Sequence, residues 1–534
     1  MQQTGITSIT IENFKGIGQP VRVPLRPITL LFGANSAGKS TIIQALHYAR
    51  ELVARNNPDA DLPVAGGNAV DLGGFRSFVH MHDLSKPIRI AIEVVPEPAF
   101  GLPRLWDPLI ASKAERTEVW DSNISHLVQS VGVELLVRWS AELRIPWLSE
   151  LNISYNGTPF ASVKKEFPEA LPFIYGLDAY HDFLEPLLVD NEHDTALYEF
   201  SKFLRNLADD SGRVKLEQRN VVPALADKLP IDIPAPEHDQ YEGFYFWGNI
   251  ELVNQLIHGP VLLLHRALSE FRYLGPIRVV PQPNHRTPKI LDESRWADGS
   301  AAWDLLLKHH DPGSGGGDDF VKTVSQWLAD EDKMDLGYSL DVVSDRFVPE
   351  TSMLMANLKL LRDQFEEKDQ EFYRRLVWAE IENARTQPRL ALTDLKNQVS
   401  VGPNAIGVGV IQVLPVVVGA LDSAGQLVAI EQPELHLHPR VACKLGDLFI
   451  AQAAKGKSFL IESHSQHLML RIKRRIRENK IRAEDVSVLF VEAPKAGGRT
   501  SIIALRLDSE GEFIDGWPGG FFEEGFAEIF EKAK

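Results

Sequence analysis

The stretch Leu31-Phe32-Gly33-Ala34-Asn35-Ser36-Ala37-Gly38-Lys39-Ser40-Thr41 fits the pattern G-x-x-x-x-G-K-[ST], and it constrains the fold more than any other part of the chain. Such a loop works only between a buried strand and a helix. Both flanks are present. Ile28 to Phe32 is a short apolar run that reads as a strand, and Thr41-Ile42-Ile43-Gln44-Ala45-Leu46 opens a helical pattern. Glycines let backbone N–H groups close around phosphate oxygens, and the helix N-terminus favours their negative charge. On this reading Gly33, Asn35, Ser36, Ala37, Gly38, Lys39, Ser40 and Thr41 form a phosphate cradle. Lys39 reaches the β- and γ-phosphates, and Ser40 holds Mg²⁺.

At 534 residues the chain is too long for one simple core, so two or three structural units are expected. A net charge of −17 counts against wholesale coating of nucleic acid, though it leaves room for a local basic strip. Cys443 is the only cysteine, which excludes a disulfide framework and a cysteine zinc site. The N-terminus lacks the charged-then-apolar pattern of a secretory signal. The longest apolar stretch, Val408 to Leu421, is too short to cross a membrane and is broken by Gln412 and Pro415. A cytoplasmic location away from membranes is the expectation.

Four regions are expected along the chain. Residues 1–100 alternate like sheet at Ile6, Ile9 and Ile11, at Val21 and Val23, and at Ile88, Ile90, Ile92 and Val94, with the phosphate loop among them. Residues 101–260 are rich in Pro, Trp and acidic side chains and read as an inserted, mostly helical region with some strand, as at Val133–Trp139. Residues 261–400 hold a strand-like stretch from Arg272 to Val280 and a charged helical arm from Leu354 to Arg385. Residues 401–534 return to α/β, with strands at Leu427–Ile430, Ser458–Ile461, Val486–Val491 and Ser501–Leu507.

Two of those strands end in polar residues, where ligands bind in open α/β sheets. Leu427-Val428-Ala429-Ile430-Glu431 ends in a carboxylate, and a P-loop enzyme needs such an acid to fix Mg²⁺. Phe459-Leu460-Ile461-Glu462-Ser463-His464-Ser465 ends in a histidine that can hydrogen-bond a γ-phosphate or an attacking water. Either feature alone is weak, since a carboxylate after a strand also serves as a helix cap. In this order behind a phosphate loop they reinforce one another.

At these residues the chain resembles the RecF/SMC/OLD-type ABC ATPases. Ile11-Glu12-Asn13-Phe14-Lys15-Gly16 is similar to their opening strand motif, and Glu431-Gln432-Pro433-Glu434-Leu435-His436-Leu437-His438-Pro439 to their Walker B segment. Glu462-Ser463-His464-Ser465 is similar to their switch-histidine segment, and Val401 to Pro415 lies where they carry a signature loop. Tyr273-Leu274-Gly275-Pro276-Ile277-Arg278 and Trp517-Pro518-Gly519-Gly520-Phe521-Phe522 are similar to a subfamily of stand-alone ATPases with relatives in anti-phage defence. The resemblance implies an α/β fold: an ABC-type P-loop ATPase head split in sequence by a large, mostly helical insertion. It implies ATP and Mg²⁺ as ligands, and a homodimer or higher homo-oligomer formed through the heads. It also implies a separate effector protein, often a nuclease.

The site residues follow from that resemblance. Lys39 stabilises phosphoryl charge, Ser40 and Glu431 hold Mg²⁺, and Gln432 and His464 place water. Gln432 stands where the family has its catalytic glutamate; glutamine can orient water but cannot take its proton. Slow hydrolysis is therefore expected, or Glu434 acts as base. Ile411 stands where a phosphate-binding serine is usual, which leaves contacts to the Gly407 and Gly409 backbone. No Q-loop glutamine is evident, and Leu72-Gly73-Gly74-Phe75 is its expected region. A purely ATP-clamped scaffold is the alternative.

The remaining features have bland readings. The basic run Arg471, Lys473, Arg474, Arg475, Arg477, Lys480 and Arg482 suits DNA or a solvated helix face, and the acidic whole favours the latter. It keeps DNA as a candidate partner, in the manner of a RecF-like repair factor. Arg278 reads as an arginine finger or as a structural residue. His436, His438, His464 and His467 read as local hydrogen-bonding histidines rather than a metal site. Phe522, Phe526, Ile529 and Phe530 suit an amphipathic terminal helix. Phe490-Val491-Glu492-Ala493-Pro494 lacks the glycine of a Toprim nuclease motif, so the chain is not expected to cut nucleic acid itself.

Overall fold

The computed structural model describes residues 3–99, 101–103, 124–184, 191–231, 240–282, 285, 287–288, 292–308, 317–347, 352–353, 355, 358, 367–492 and 500–518. The expected terminal helix lies outside them. Strands are numbered along the chain. One sheet is antiparallel, in the order β2 (Val21–Pro24), β1 (Gly5–Glu12), β4 (Ile88–Val95), β5 (Val131–Ser140), β6 (Ile145–Tyr155), β7 (Thr158–Lys164), β8 (Phe173–Tyr175), β9 (Arg213–Lys215). A second runs β10 (Phe271–Leu274), β14 (Leu427–Glu431), β15 (Ser458–Glu462), β3 (Ile28–Gly33), β16 (Val486–Glu492), β17 (Ser501–Leu505). Its strands are parallel except for the antiparallel edge strand β17. A third, small sheet holds β11 (Tyr338–Phe347), β12 (Arg385–Asp394) and β13 (Val399–Val401).

Burial explains the two kinds of strand. In β4 and β5 buried and half-exposed residues alternate, because one face packs and the other meets water. β3 is buried at all six positions, and β14 and β15 are nearly so. Helices cover both faces of this sheet, which requires unbroken apolar runs. The helices are α1 (Lys39–Arg55), α2 (Asn191–Leu207), α3 (Gln240–Ser269), α4 (Ser300–Lys308), α5 (Gly317–Ala329), α6 (Glu367–Asn383), α7 (Val408–Leu421), α8 (Pro439–Ala453) and α9 (Gln466–Arg477). Leu31, Ala429, Leu460 and Leu489 face a core shared with α1, α3 and the antiparallel sheet. Leu30, Phe32, Ile430 and Ile461 face a second core closed by α7, α8 and α9, with Val417, Leu445, Phe449 and Ile472. Each such side chain contributes roughly 1.5–3 kcal/mol relative to exposure.

The region 101–260 differs from its expected character. Helices α2 and α3 are present, but β5–β9 also lie there and extend the N-terminal sheet. Asn156 and Gly157, with φ of 52° and 86°, turn β6 into β7. The strand expected from Arg272 to Val280 stops at Leu274. There Gly275 N–H leaves the sheet to donate to Ala297 O at 2.9 Å, and Pro276 has no N–H to give. No helix among the described residues is long and apolar enough to cross a membrane.

Candidate functional site

The phosphate loop leaves β3 through Gly33 at φ 144°. A Cβ there would lie 2.3 Å from Val491 O of the neighbouring strand, so only glycine fits. Gly38 enters α1 at φ 100°. Ala34, Asn35 and Ser36 are exposed at the tip, while Ala37 and Thr41 are buried. Lys39 folds back over the loop: its Nζ donates to Gly33 O at 3.1 Å and to Ala34 O at 3.0 Å. Thr500, a residue without a role in the sequence reading, braces the loop from the far end of the chain. Its N–H donates to Gly16 O at 3.2 Å and its hydroxyl to Ala37 O at 3.5 Å.

Below the loop, β14 and β15 bring Glu431 and Glu462 side by side in register. Ser40 Oγ donates to Glu462 Oε2 at 2.9 Å, and Lys39 Nζ lies 3.6 Å from Glu462 Oε1. Tyr273 Oη donates to Glu431 Oε1 at 3.1 Å. Burial, and then the charge of Glu462, push the Glu431 carboxyl up to about 7; hydrogen bonds from Tyr273 and Ser40 oppose the rise. Two buried carboxylates beside one hydroxyl are costly without a cation, so this donor set fits Mg²⁺. Ser40 and Glu431 are the residues expected from sequence. Glu462 is not, although it ends an apolar strand just as Glu431 does.

The turn after β14 connects the remaining residues. Gln432 adopts φ 45°, and its N–H donates to Glu462 O at 2.8 Å. Glu434 accepts from Ser463 Oγ at 2.9 Å and from His464 N–H at 2.8 Å. Burial raises the Glu434 carboxyl above its ordinary range. Burial, and then the Lys39 charge, lower the His464 imidazole, which favours its neutral form. His438 caps α8 by accepting from Arg440 N–H at 3.3 Å.

Gly407 caps the N-terminus of α7. A Cβ on Gly409 would lie 2.8 Å from His436 O, so this residue packs against the turn after β14. No hydrogen bond joins Gly407 or Gly409 to residues 33–41 among the described residues. Ile411 is buried in α7 and takes no part in a polar surface.

Arg278 is structural. It is buried, its guanidinium donates to Glu431 O at 2.7 Å and Gln412 O at 3.3 Å, and burial lowers it to about 10. Six of the seven basic residues of the run are paired with neighbouring acids. Arg471 and Arg475 meet Asp447, Arg474 meets Glu478, Lys473 and Arg477 meet Glu512, and Arg482 meets Asp485.

Comparisons with known proteins follow the same division. Residues 5–94 match a family described as an AAA ATPase domain. Residues 290–470 match a family described as an AAA domain, putative AbiEii toxin, type IV TA system. No curated protein matches the chain. Among solved structures it is loosely similar to an SMC head bound to the C-terminal winged-helix domain of ScpA (11% identity, 94% of this chain and 98% of that one, TM-score 0.37). It is similar to the same degree to the SMC head domain from Thermotoga maritima (8% identity, 94% and 100%, TM-score 0.36). The two ATPase-domain matches fall on separate parts of the sequence, and the α/β sheet that carries the phosphate loop draws its strands from both, so a P-loop ATPase domain is split in sequence by an insertion.

Proposed function

We propose that the chain binds and slowly hydrolyses ATP as a nucleotide-driven dimeric switch that controls a separate effector protein. The carrying observation is the convergence of Lys39, Ser40, Glu431 and Glu462 below one glycine loop. Lys39 neutralises phosphoryl charge, and Ser40, Glu431 and Glu462 hold Mg²⁺ directly or through water. Mg²⁺, when bound, offsets the charge of the β- and γ-phosphates. Gln432 and His464 orient the attacking water. Glu434 is already engaged by Ser463 and His464, so its work is to fix the histidine rather than to act as a free base. Hydrolysis is slow because Gln432 cannot take a proton, and the carboxylate oxygen left to act as base is the buried Oε2 of Glu434. The exposed start of α7, with Val408 at 56% relative exposure, supplies Gly407 and Gly409 to the nucleotide of a second copy. The description of the family matched over 290–470, a putative toxin of a toxin–antitoxin system, favours a role in anti-phage defence.

An ATP-clamped scaffold is the second reading, favoured by Gln432. The test is Mg²⁺-dependent ATP turnover by the wild type, Lys39→Ala and Gln432→Glu. Turnover that Lys39→Ala abolishes supports the switch. Bound ATP without turnover, with hydrolysis appearing in Gln432→Glu, supports the scaffold. Turnover surviving Lys39→Ala would sink both.

A further inference from the structure

The segment Tyr273-Leu274-Gly275-Pro276-Ile277-Arg278 has no part in the function above, yet it surrounds the end of β14. Tyr273 lies on β10, paired with Ala429, so its ring runs along β14 toward the strand end. Its hydroxyl reaches the Glu431 side chain. Four residues after β10 ends, Arg278 Nη2 donates to the Glu431 main-chain carbonyl. The same carboxylate-bearing residue is thus held twice, once at its side chain and once at its backbone.

The other end of the segment is fastened to α7. Gln412 Oε1 accepts from Arg278 N–H at 3.2 Å, and Gln412 Nε2 donates to Arg278 O at 2.7 Å. This reciprocal pair is buried, where hydrogen bonds have no competing water and lost partners are costly. Gln412 lies three residues beyond Gly409, on the helix whose start faces outward. A continuous polar chain therefore runs from α7 through Arg278 to Glu431.

The geometry of Tyr273 is over-determined, which a merely space-filling tyrosine would not need. Its ring meets that of His47 on the inner side of α1, and His47 stands edge-on to both Tyr273 and Phe271, with centroids 5.1 Å away in each case. His47 has no hydrogen-bond partner for either ring nitrogen, and burial holds it at about 3, so it is a neutral wedge. Gly275 follows directly after β10: a Cβ built there would clash with Ala297 O at 2.8 Å and touch Tyr273 Oη at an ordinary 3.5 Å. The hydroxyl is left aimed at Glu431.

We propose that Tyr273 is a positioning residue for Glu431, and that Arg278 and Gln412 make it responsive to the position of α7. Closure of a second copy onto the start of α7 would then be transmitted to the orientation of the carboxylate that serves Mg²⁺. This inference rests on the reading of Glu431 as a Mg²⁺ acid. It adds a specific line of coupling between the outer helix and the metal-side carboxylate.

The experiment measures binding of a fluorescent ATP analogue to the wild type, Tyr273→Phe, Gln412→Met and the double variant. Binding is titrated with Mg²⁺ and also followed without it, and thermal unfolding of the ligand-free proteins is recorded alongside. Tyr273→Phe removes one oxygen and keeps the ring packing. It should raise the Mg²⁺ concentration for half-maximal binding by about 10-fold, the scale of one hydrogen bond to a charged group. Binding without Mg²⁺ should stay unchanged, and the unfolding midpoint should fall by no more than a few degrees. Gln412→Met should shift the Mg²⁺ requirement in the same direction, and the double variant should fall well short of the product of the two effects. An unchanged Mg²⁺ requirement in Tyr273→Phe overturns the positioning role, and multiplicative effects overturn the link to α7. Absence of any Mg²⁺ dependence in the wild type overturns the reading of Glu431 itself.

Discussion

Replacing Glu431 with glutamine should stabilise the ligand-free protein at pH 8 and slightly destabilise it at pH 5. Glu431 is buried beside Glu462, and its carboxyl is pushed up to about 7 from an ordinary value of 4.5. The folded state therefore binds this proton more tightly than the unfolded chain does. Folding gains its full benefit from the group below the unfolded value and loses it as pH rises through the folded one. The gap corresponds to about 3 kcal/mol. Glutamine keeps the volume and one acceptor for Tyr273 but loses some hydrogen bonding, so a net gain of about 1–2 kcal/mol at pH 8 is expected. Unfolding is followed with a metal chelator present, at pH 5 and pH 8, for both proteins. A second series at pH 8 adds Mg²⁺ and ATP. Ligand should then stabilise the wild type and leave the variant nearly unaffected, because the variant has traded a metal ligand for an amide. Equal effects of the substitution at the two pH values, or a loss of stability at pH 8, would refute the argument that like-charge burial dominates this site.

Three further outcomes follow from the packing. Gly33→Ala should cost about 2 kcal/mol or more and abolish nucleotide binding, because its Cβ meets the Val491 carbonyl; an unchanged unfolding midpoint would contradict this. Arg474→Ala combined with Arg475→Ala should lower stability by about 1 kcal/mol and leave DNA retention across a salt series unaltered, since both side chains are paired with acids; weakened retention would revive DNA as a partner. Asn156→Leu should destabilise the β6–β7 turn by about 1–2 kcal/mol, because it loses the acceptor for Gln129 and Ser130 N–H groups at positive φ; nucleotide binding should be unaffected.

The parts of the fold that were legible in the sequence are those whose signal is local. β3, β14 and β15 announce themselves as unbroken apolar runs, and the phosphate loop by its glycines and lysine. The antiparallel sheet beyond β5 was less legible, because proline, tryptophan and acidic residues around residues 101–260 mask its alternation. The pair Asn156-Gly157 carried a local hairpin signal there. Glu462 and Tyr273 belong to the site through register between strands distant in sequence: Glu462 opposite Glu431, and Tyr273 opposite Ala429. No spacing along one strand reports such a pairing. Arg278 illustrates the opposite case: a lone arginine after a strand looks free to act until burial and its carbonyl partners are seen.

The place of β3 has a consequence for how the molecule comes into being. Its partners are β15 and β16, so Ile28 waits for Phe459, some 430 residues later in synthesis. At ribosomal speeds that interval is roughly 20–90 s. Throughout it, a strand that is buried at every position in the finished fold and the glycine loop behind it lack both neighbours, while β1, β2, β4 and the rest of the antiparallel sheet can already assemble. A nascent chain of this kind carries an unpaired, aggregation-prone edge until β15 and β16 emerge. The phosphate loop therefore gains its flanking strands only once residues 458–492 have been made, long after the loop itself.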